Sequence, residues 1–231
     1  MVLGRRFGAT LVLAHARESG GRGREARGTD LLERARARVV AAGLAAETTL
    51  RDGAADLALA ELARESDAVL VGRRGGHTAG DALGPTAAAT VRTAPVCVIV
   101  CGGAASPMRS VALAFDGRDA SRRALALAAR FASATRSQVH VVHANDDPAA
   151  GLLVVGEAEA TLSLQQVDFT THVESGPPAE VVARIVRRLK CDALFAGAHV
   201  ARDAPMRPSP VVVSHAEQIL RRTDVPVVIQ P

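Results

Sequence analysis

The chain repeats itself, and that duplication narrows the folds open to it. Apolar runs of strand length alternate with stretches of helical spacing through residues 9–100, and the alternation returns through residues 110–229. Landmarks recur in step. His15 and His143 end equivalent strands, Gly53 and Gly176 precede equivalent helices, Asp67 and Asp192 start the next strands, and Pro95 and Pro226 open the last. Spacings of 128, 123, 125 and 131 residues mark one unit of about 125 residues, duplicated with small insertions. Strands alternating with helices predict an α/β fold with a parallel sheet covered on both faces.

In the first copy, residues 9–15 read as a buried strand and the Gly/Arg-rich residues 18–29 as a mobile loop. A helix is predicted from Thr29, with Asp30 at its start and Leu31, Ala35, Val39 and Ala42 at helical spacing. Residues 46–51 follow as a strand, and helical spacing returns at Ala55, Leu59, Leu62 and Ala63. Residues 69–100 then read strand, glycine loop, helix, strand, with glycines at Gly72, Gly75 and Gly84. Backbone N–H groups converging ahead of a helix N-terminus can cradle an anion. The same glycines also suit a plain connecting loop, and this stretch alone does not separate the two.

After a small-residue linker the order recurs. A strand at 110–115 ends in Asp116-Gly117, and Ala124, Leu127, Ala128 and Phe131 share one face of the next helix. Strands at 138–144, 168–174 and 192–197 alternate with helices at 149–165 and around Val182, Ile185, Val186 and Leu189. Ser214 and Glu217 stand at capping-box spacing, and Pro226–Ile229 closes the chain as a strand. The domains expected are 1–101 and 110–231, joined by a linker at 102–109.

Composition excludes several classes. Twenty-eight Lys and Arg against 24 Asp and Glu give a net charge of +4, which permits an acidic partner without requiring nucleic acid. With no Trp or Tyr and only five Phe, a base-stacking platform is hard to build. Cys97, Cys101 and Cys191 show neither a CxxC motif nor zinc spacing, and an odd count suits a reducing compartment. No apolar run nears the roughly 18 residues needed to cross a bilayer, and no signal peptide is evident, so a cytoplasmic protein without membrane contact is expected.

The Asp116-Gly117 helix start, the strand-end histidines, the Gly72-x-x-Gly75 loop with Gly84, and the matched Arg-Thr approaches to Pro95 and Pro226 together resemble the universal stress protein family in tandem form. The resemblance implies two doubly wound, adenine nucleotide alpha hydrolase-like sheets of strand order 3-2-1-4-5. It also implies an acidic residue beside ribose and adenine, and a phosphate loop of Gly-x-x-Gly, nine residues, then Gly-Ser/Thr. Neither copy carries the whole pattern. In the first, eight residues separate Gly75 from Gly84, Pro85 takes the hydroxyl position, and Thr86 lies one place late. In the second, Asp116, Gly197 and Ser214 remain, but Val200 and Val213 replace the other glycines. By register Met1–Gly4 aligns with Ala129–Ala132, so the first unit lacks strand 1 and most of helix 1. Strand 1 is central in this order, and its loss predicts that strand 2 re-pairs with strand 4 or that this half is loosely ordered. A strand ending in Asp-Gly encoded upstream of Met1 would complete the unit.

The function expected is a non-enzymatic stress-response module that dimerises and contacts partners, with degenerate nucleotide sites and no firm cofactor. The alternative is an ATP- or AMP-binding regulator using Gly72, Gly75, Gly84 and Thr86, with Mg. The last strands are too apolar to remain bare edges, so they should pair between the repeats or across a homodimer. His15 and His143 are expected to be packed. Asp116 suits either a ribose contact or the start of the following helix, and Arg73 and Arg74 either a phosphate or solvent. His77, His199 and Arg202 lack a nucleophile to serve, Asp81 stands alone near the loop, and Cys97 and Cys101 read as packed strand residues.

Overall fold

A computed structural model describes residues 2–17, 22–74, 83–102, 107–198 and 215–231, with side chains for all but 2–3, 22–26 and 215. The first copy contributes α1 (Val2–Phe7), β1 (Leu11–Arg17), α2 (Arg22–Ala41), β2 (Ala46–Asp52), α3 (Ala55–Ala63), β3 (Ala68–Gly72), α4 (Pro85–Thr93) and β4 (Cys97–Cys101). The second contributes β5 (Ser110–Ala114), α5 (Asp119–Thr135), β6 (Gln138–Ala144), α6 (Pro148–Leu164), β7 (Phe169–Glu174), α7 (Pro178–Arg188), β8 (Ala193–Gly197), α8 (His215–Arg222) and β9 (Val227–Gln230). Gly53 and Gly176, matched between the copies, take φ of +106° and +122° ahead of α3 and α7. Other residues avoid that turn geometry.

α2 starts at Arg22, which corrects the loop expected at 18–29. Arg22, Arg24, Glu25, Ala26 and Arg27 are good helix formers that outweigh the interrupting glycines. Gly28 has its own reason: a Cβ there would stand 2.8 Å from Cδ2 of His15. Asp30 is consequently a mid-helix residue, paired with Arg34 at 3.0 Å.

Seven strands form one sheet in the order β3-β4-β9-β8-β5-β6-β7. Its last five strands are parallel and give the second copy the 3-2-1-4-5 order. Right-handed crossovers set α5 and α6 on one face of it and α7 and α8 on the other. The core lies on both sides of the middle strands, where Leu113, Phe195, Leu194, Ile185 and Leu220 are fully buried. β4 joins β9 antiparallel, with Val98 opposite Ile229, Ile99 opposite Val228 and Val100 opposite Val227. The last strands therefore meet within the chain. Antiparallel pairing needs no crossover and removes two apolar edges together.

Among the described residues the first copy closes no sheet of its own. β1 and β2 make a separate two-stranded parallel sheet, tied at its end by the ion pair of Arg17 and Asp52. Of the two outcomes expected, the re-pairing of the unit's strand 2, here β1, with its strand 4, here β3, does not occur among the described residues, and α2, β2 and α3 are formed around β1. The compact units are Met1–Ser66 and Asp67–Pro231. That division falls upstream of the repeat boundary at 101, because β3, α4 and β4 belong with the second copy.

Candidate functional site

In an open α/β sheet the ligand crevice lies beyond the carboxyl ends of the strands where their order switches, here between β5 and β8. Asp116 stands at the end of β5. Its Oδ1 accepts the Arg118 N–H at 3.0 Å and its Oδ2 lies 3.8 Å from the Arg118 guanidinium. Ser121 completes this turn: its Oγ accepts the Asp116 N–H at 3.3 Å and donates to the Arg118 carbonyl at 2.9 Å. Of the two roles left open, the geometry is that of a turn leading into α5, with Arg118 rather than Asp116 as the N-cap.

Gly197 ends β8 against the first turn of α5. A Cβ there would fall 2.3 Å from the carbonyl carbon of Ala120 and 2.6 Å from the Ser121 nitrogen. Glycine is thus required by backbone packing. Ser214, His199, Arg202, Val200 and Val213 lie outside the described residues.

The first copy's loop leaves β3 at Gly72 and enters α4 at Gly84. Among the described residues a Cβ on Gly72 would meet only the Arg74 carbonyl, at 3.5 Å, an ordinary contact. Gly84 is the N-cap of α4 with φ −61° and ψ 149°, and its N–H donates to the Arg73 carbonyl at 2.9 Å. Pro85 opens the helix without an N–H, and the Thr86 carbonyl accepts the Thr90 hydroxyl at 2.8 Å. Gly75, His77 and Asp81 lie outside the described residues.

Arg73 is half-buried and turned onto α8. Its Nη1 donates to the Leu220 carbonyl in the last turn of α8 and its Nη2 to the Val225 carbonyl at 3.3 Å. Burial pulls this guanidinium below its ordinary pKa, opposed by Asp224 and aided by Arg74. It caps the negative end of α8.

Other groupings had no local signal. Arg92 on α4 pairs with buried Glu217 on α8 at 2.7 Å, so this glutamate meets an arginine 125 residues away, beyond the capping-box reading. At the amino ends of the second copy's strands, His140 Nδ1 lies 2.7 Å from Thr170 Oγ1 and its Nε2 3.1 Å from Ser110 Oγ. His172 Nε2 stands 3.5 Å from His140 Nδ1. Burial lowers both imidazoles, the charge of His172 adding to the shift at His140 and that of Arg188 to the shift at His172. His143 is packed as expected, its Nδ1 2.8 Å from the Phe115 carbonyl. Burial pushes the Cys97 thiol up to about 12 and raises Cys101, so both stay protonated at neutral pH. Among the described residues no group of three or more His, Cys, Asp or Glu is placed to hold a metal, and no helix is long and apolar enough to cross a membrane.

The sequence profile of the universal stress protein family matches residues 108–231, more than half of the chain. The chain belongs to the universal stress protein family. A universal stress protein from Archaeoglobus fulgidus DSM 4304 is similar over 99% of this chain and 88% of its own, with a TM-score of 0.83 and 19% identity. A universal stress protein from Pseudomonas aeruginosa UCBPP-PA14 covers 99% of this chain and 85% of its own, at TM-score 0.68 and 17% identity. These likenesses are of fold. No curated protein sequence matches the chain. Within this stress-response family's architecture, the second copy supplies the complete five-stranded order and the first supplies its last two strands to the same sheet.

Proposed function

We propose that the chain is a non-catalytic stress-response regulator that works through protein contact, its two repeats joined to each other through their last strands, and that neither repeat grips a nucleotide firmly. The hydrogen bond from the Gly84 N–H to the Arg73 carbonyl carries this reading, because it occupies the donor that ends the glycine loop. Three further features support it. Arg73 is turned onto α8, Pro85 offers no donor, and Asp116 is engaged by Arg118. These residues do not fit a family-style ATP grip with Mg.

The competing reading keeps Gly72, Gly75, Gly84 and Thr86 as a phosphate loop and has the N-terminus of α4 in its favour. Calorimetric titration with MgATP and with AMP decides between them. The expected result is no saturable heat at millimolar nucleotide. Saturable binding that is lost in Gly84→Val establishes the competing reading.

A further inference from the structure

Two histidines meet outside the β5–β8 crevice, on β6 and on β7, which is an outer strand of the seven-stranded sheet. His140 is directly opposite Thr170, and His172 lies two residues further along β7 on the same face. The repeat supplies a comparison. The His15–His143 spacing puts Val12 at the place of His140, and the Gly53–Gly176 spacing puts Glu47 and Thr49 at those of Thr170 and His172. β1 and β2 keep the same register, with Val12 opposite Glu47. The strand pair therefore forms without imidazoles, and the two of the second copy answer to something else.

His140 Nδ1 and His172 Nε2 are 3.5 Å apart while the ring centroids are 5.6 Å apart, so the two nitrogens face each other with their rings behind them. Two nitrogens each about 2.0–2.1 Å from one zinc ion at the tetrahedral angle stand roughly 3.4 Å apart. At the right angle of an octahedral or square-planar ion the separation falls to roughly 2.9 Å. Thr170 Oγ1 lies 2.7 Å from the one nitrogen and 3.2 Å from the other. His140 Nε2 lies 3.1 Å from Ser110 Oγ on β5. With the ring proton donated there, Nδ1 keeps its lone pair toward His172, and metal-bound histidines are commonly held through their second nitrogen in this way. His140 is 7% exposed, His172 half-buried and Thr170 exposed, so among the described residues the pair opens to solvent on the Thr170 side. Asp168 and Glu174 favour positive charge at the rings, and Arg188, which opposes it, is held by Glu174 at 2.7 Å.

We propose that His140 Nδ1 and His172 Nε2 together chelate a zinc ion that joins β6 to β7, with water filling its remaining positions. Zinc exchanges two of its waters for two neutral imidazoles, His172 carries its proton on Nδ1, and the Thr170 hydroxyl gives up its place between the nitrogens. Two protein ligands are fewer than the four of a structural zinc site, so the ion is held exchangeably. The site shares no residue with the β5–β8 crevice.

The test titrates the full chain, stripped of metal by a chelator and kept reduced, with zinc by calorimetry and with cobalt by visible absorption. His140→Gln and His172→Gln are the variants, and His172 is half-buried on an outer strand, where its loss spares the core. Nitrogen NMR of the histidine rings in the unaltered chain identifies the ligands directly, so a variant that fails to fold does not decide the outcome. The expected result is saturable one-to-one binding, weakened at least tenfold in each variant, with zinc-dependent shifts at His140 Nδ1 and His172 Nε2. No saturable uptake at millimolar zinc overturns the proposal. So does uptake unchanged in His172→Gln, or a sulfur-to-cobalt charge-transfer band, since either places the ion on other ligands.

Discussion

Arg92 Nη1 lies 2.7 Å from Oε1 of Glu217, joining a helix of the first repeat to a helix of the second. The glutamate side chain is 5% exposed and the arginine 53%. A buried carboxylate that loses its guanidinium keeps its desolvation cost. Arg92→Met should therefore destabilise the protein by about 2 kcal/mol. Adding Glu217→Met should recover much of that loss. Urea unfolding of both single variants and the double variant checks it, and strict additivity of the two losses would show that the pair contributes nothing.

Arg73→Leu removes the donors that meet the Leu220 and Val225 carbonyls. The expected cost is roughly 1–2 kcal/mol, appearing as faster amide exchange at the end of α8 and the start of β9. An unchanged exchange pattern in those segments would remove Arg73 from this role.

The matched glycines should respond in opposite ways. Gly197→Ala drives a methyl into the backbone of α5 and should cost about 2 kcal/mol or more. Gly72→Ala meets no described atom closer than 3.5 Å and should stay within about 0.5 kcal/mol of the parent. Thermal unfolding of the two variants side by side gives the comparison.

His140 and His172 tie stability to pH. Both folded pKa values lie below the ordinary 6.5, so the unfolded chain binds more protons in that region. The stabilisation is complete above about pH 6.5 and falls as the pH drops toward the lowered folded values. Protonation must contend with burial and with Arg188, while Asp168 and Glu174 favour it. Stability measured from pH 8 to pH 5 should decline, and His140→Gln should flatten the decline.

Truncation should follow the compact units. Residues 67–231 retain the β4–β9 pairing and should fold as a monomer. Residues 108–231 lose β4 and expose Val227–Ile229 as an apolar edge, which should associate as concentration rises. Light scattering on the two fragments separates the outcomes.

Much of this architecture was legible because it is periodic. The matched histidines, glycines and prolines located the repeat, apolar runs located the strands of the seven-stranded sheet, and the resemblance to the family implied their order in the second copy. The partner of an apolar strand was not legible. Val96–Val100 and Val225–Ile229 required burial, but hydrophobicity does not say whether the cover comes from the same chain or a second one. The start of α2 was hidden by Gly23 and Gly28, which read locally as loop although Gly28 answers a contact with His15. At the candidate site, Gly72, Gly84 and Asp116 were found by spacing, while the groups engaging them were not. Arg73 reaches Leu220 across 147 residues, a distance that leaves no local pattern.

The contacts that hold β4 to β9 do not depend on covalent connection between them. Any chain bearing residues 67–102 presents the same edge, the same Arg73 and the same Arg92 to any β9 and α8. Concentrated refolding should therefore yield reciprocally exchanged dimers, in which each copy completes the other's sheet with identical contacts. Dilution below the roughly millimolar effective concentration of a short tether should return them to monomers.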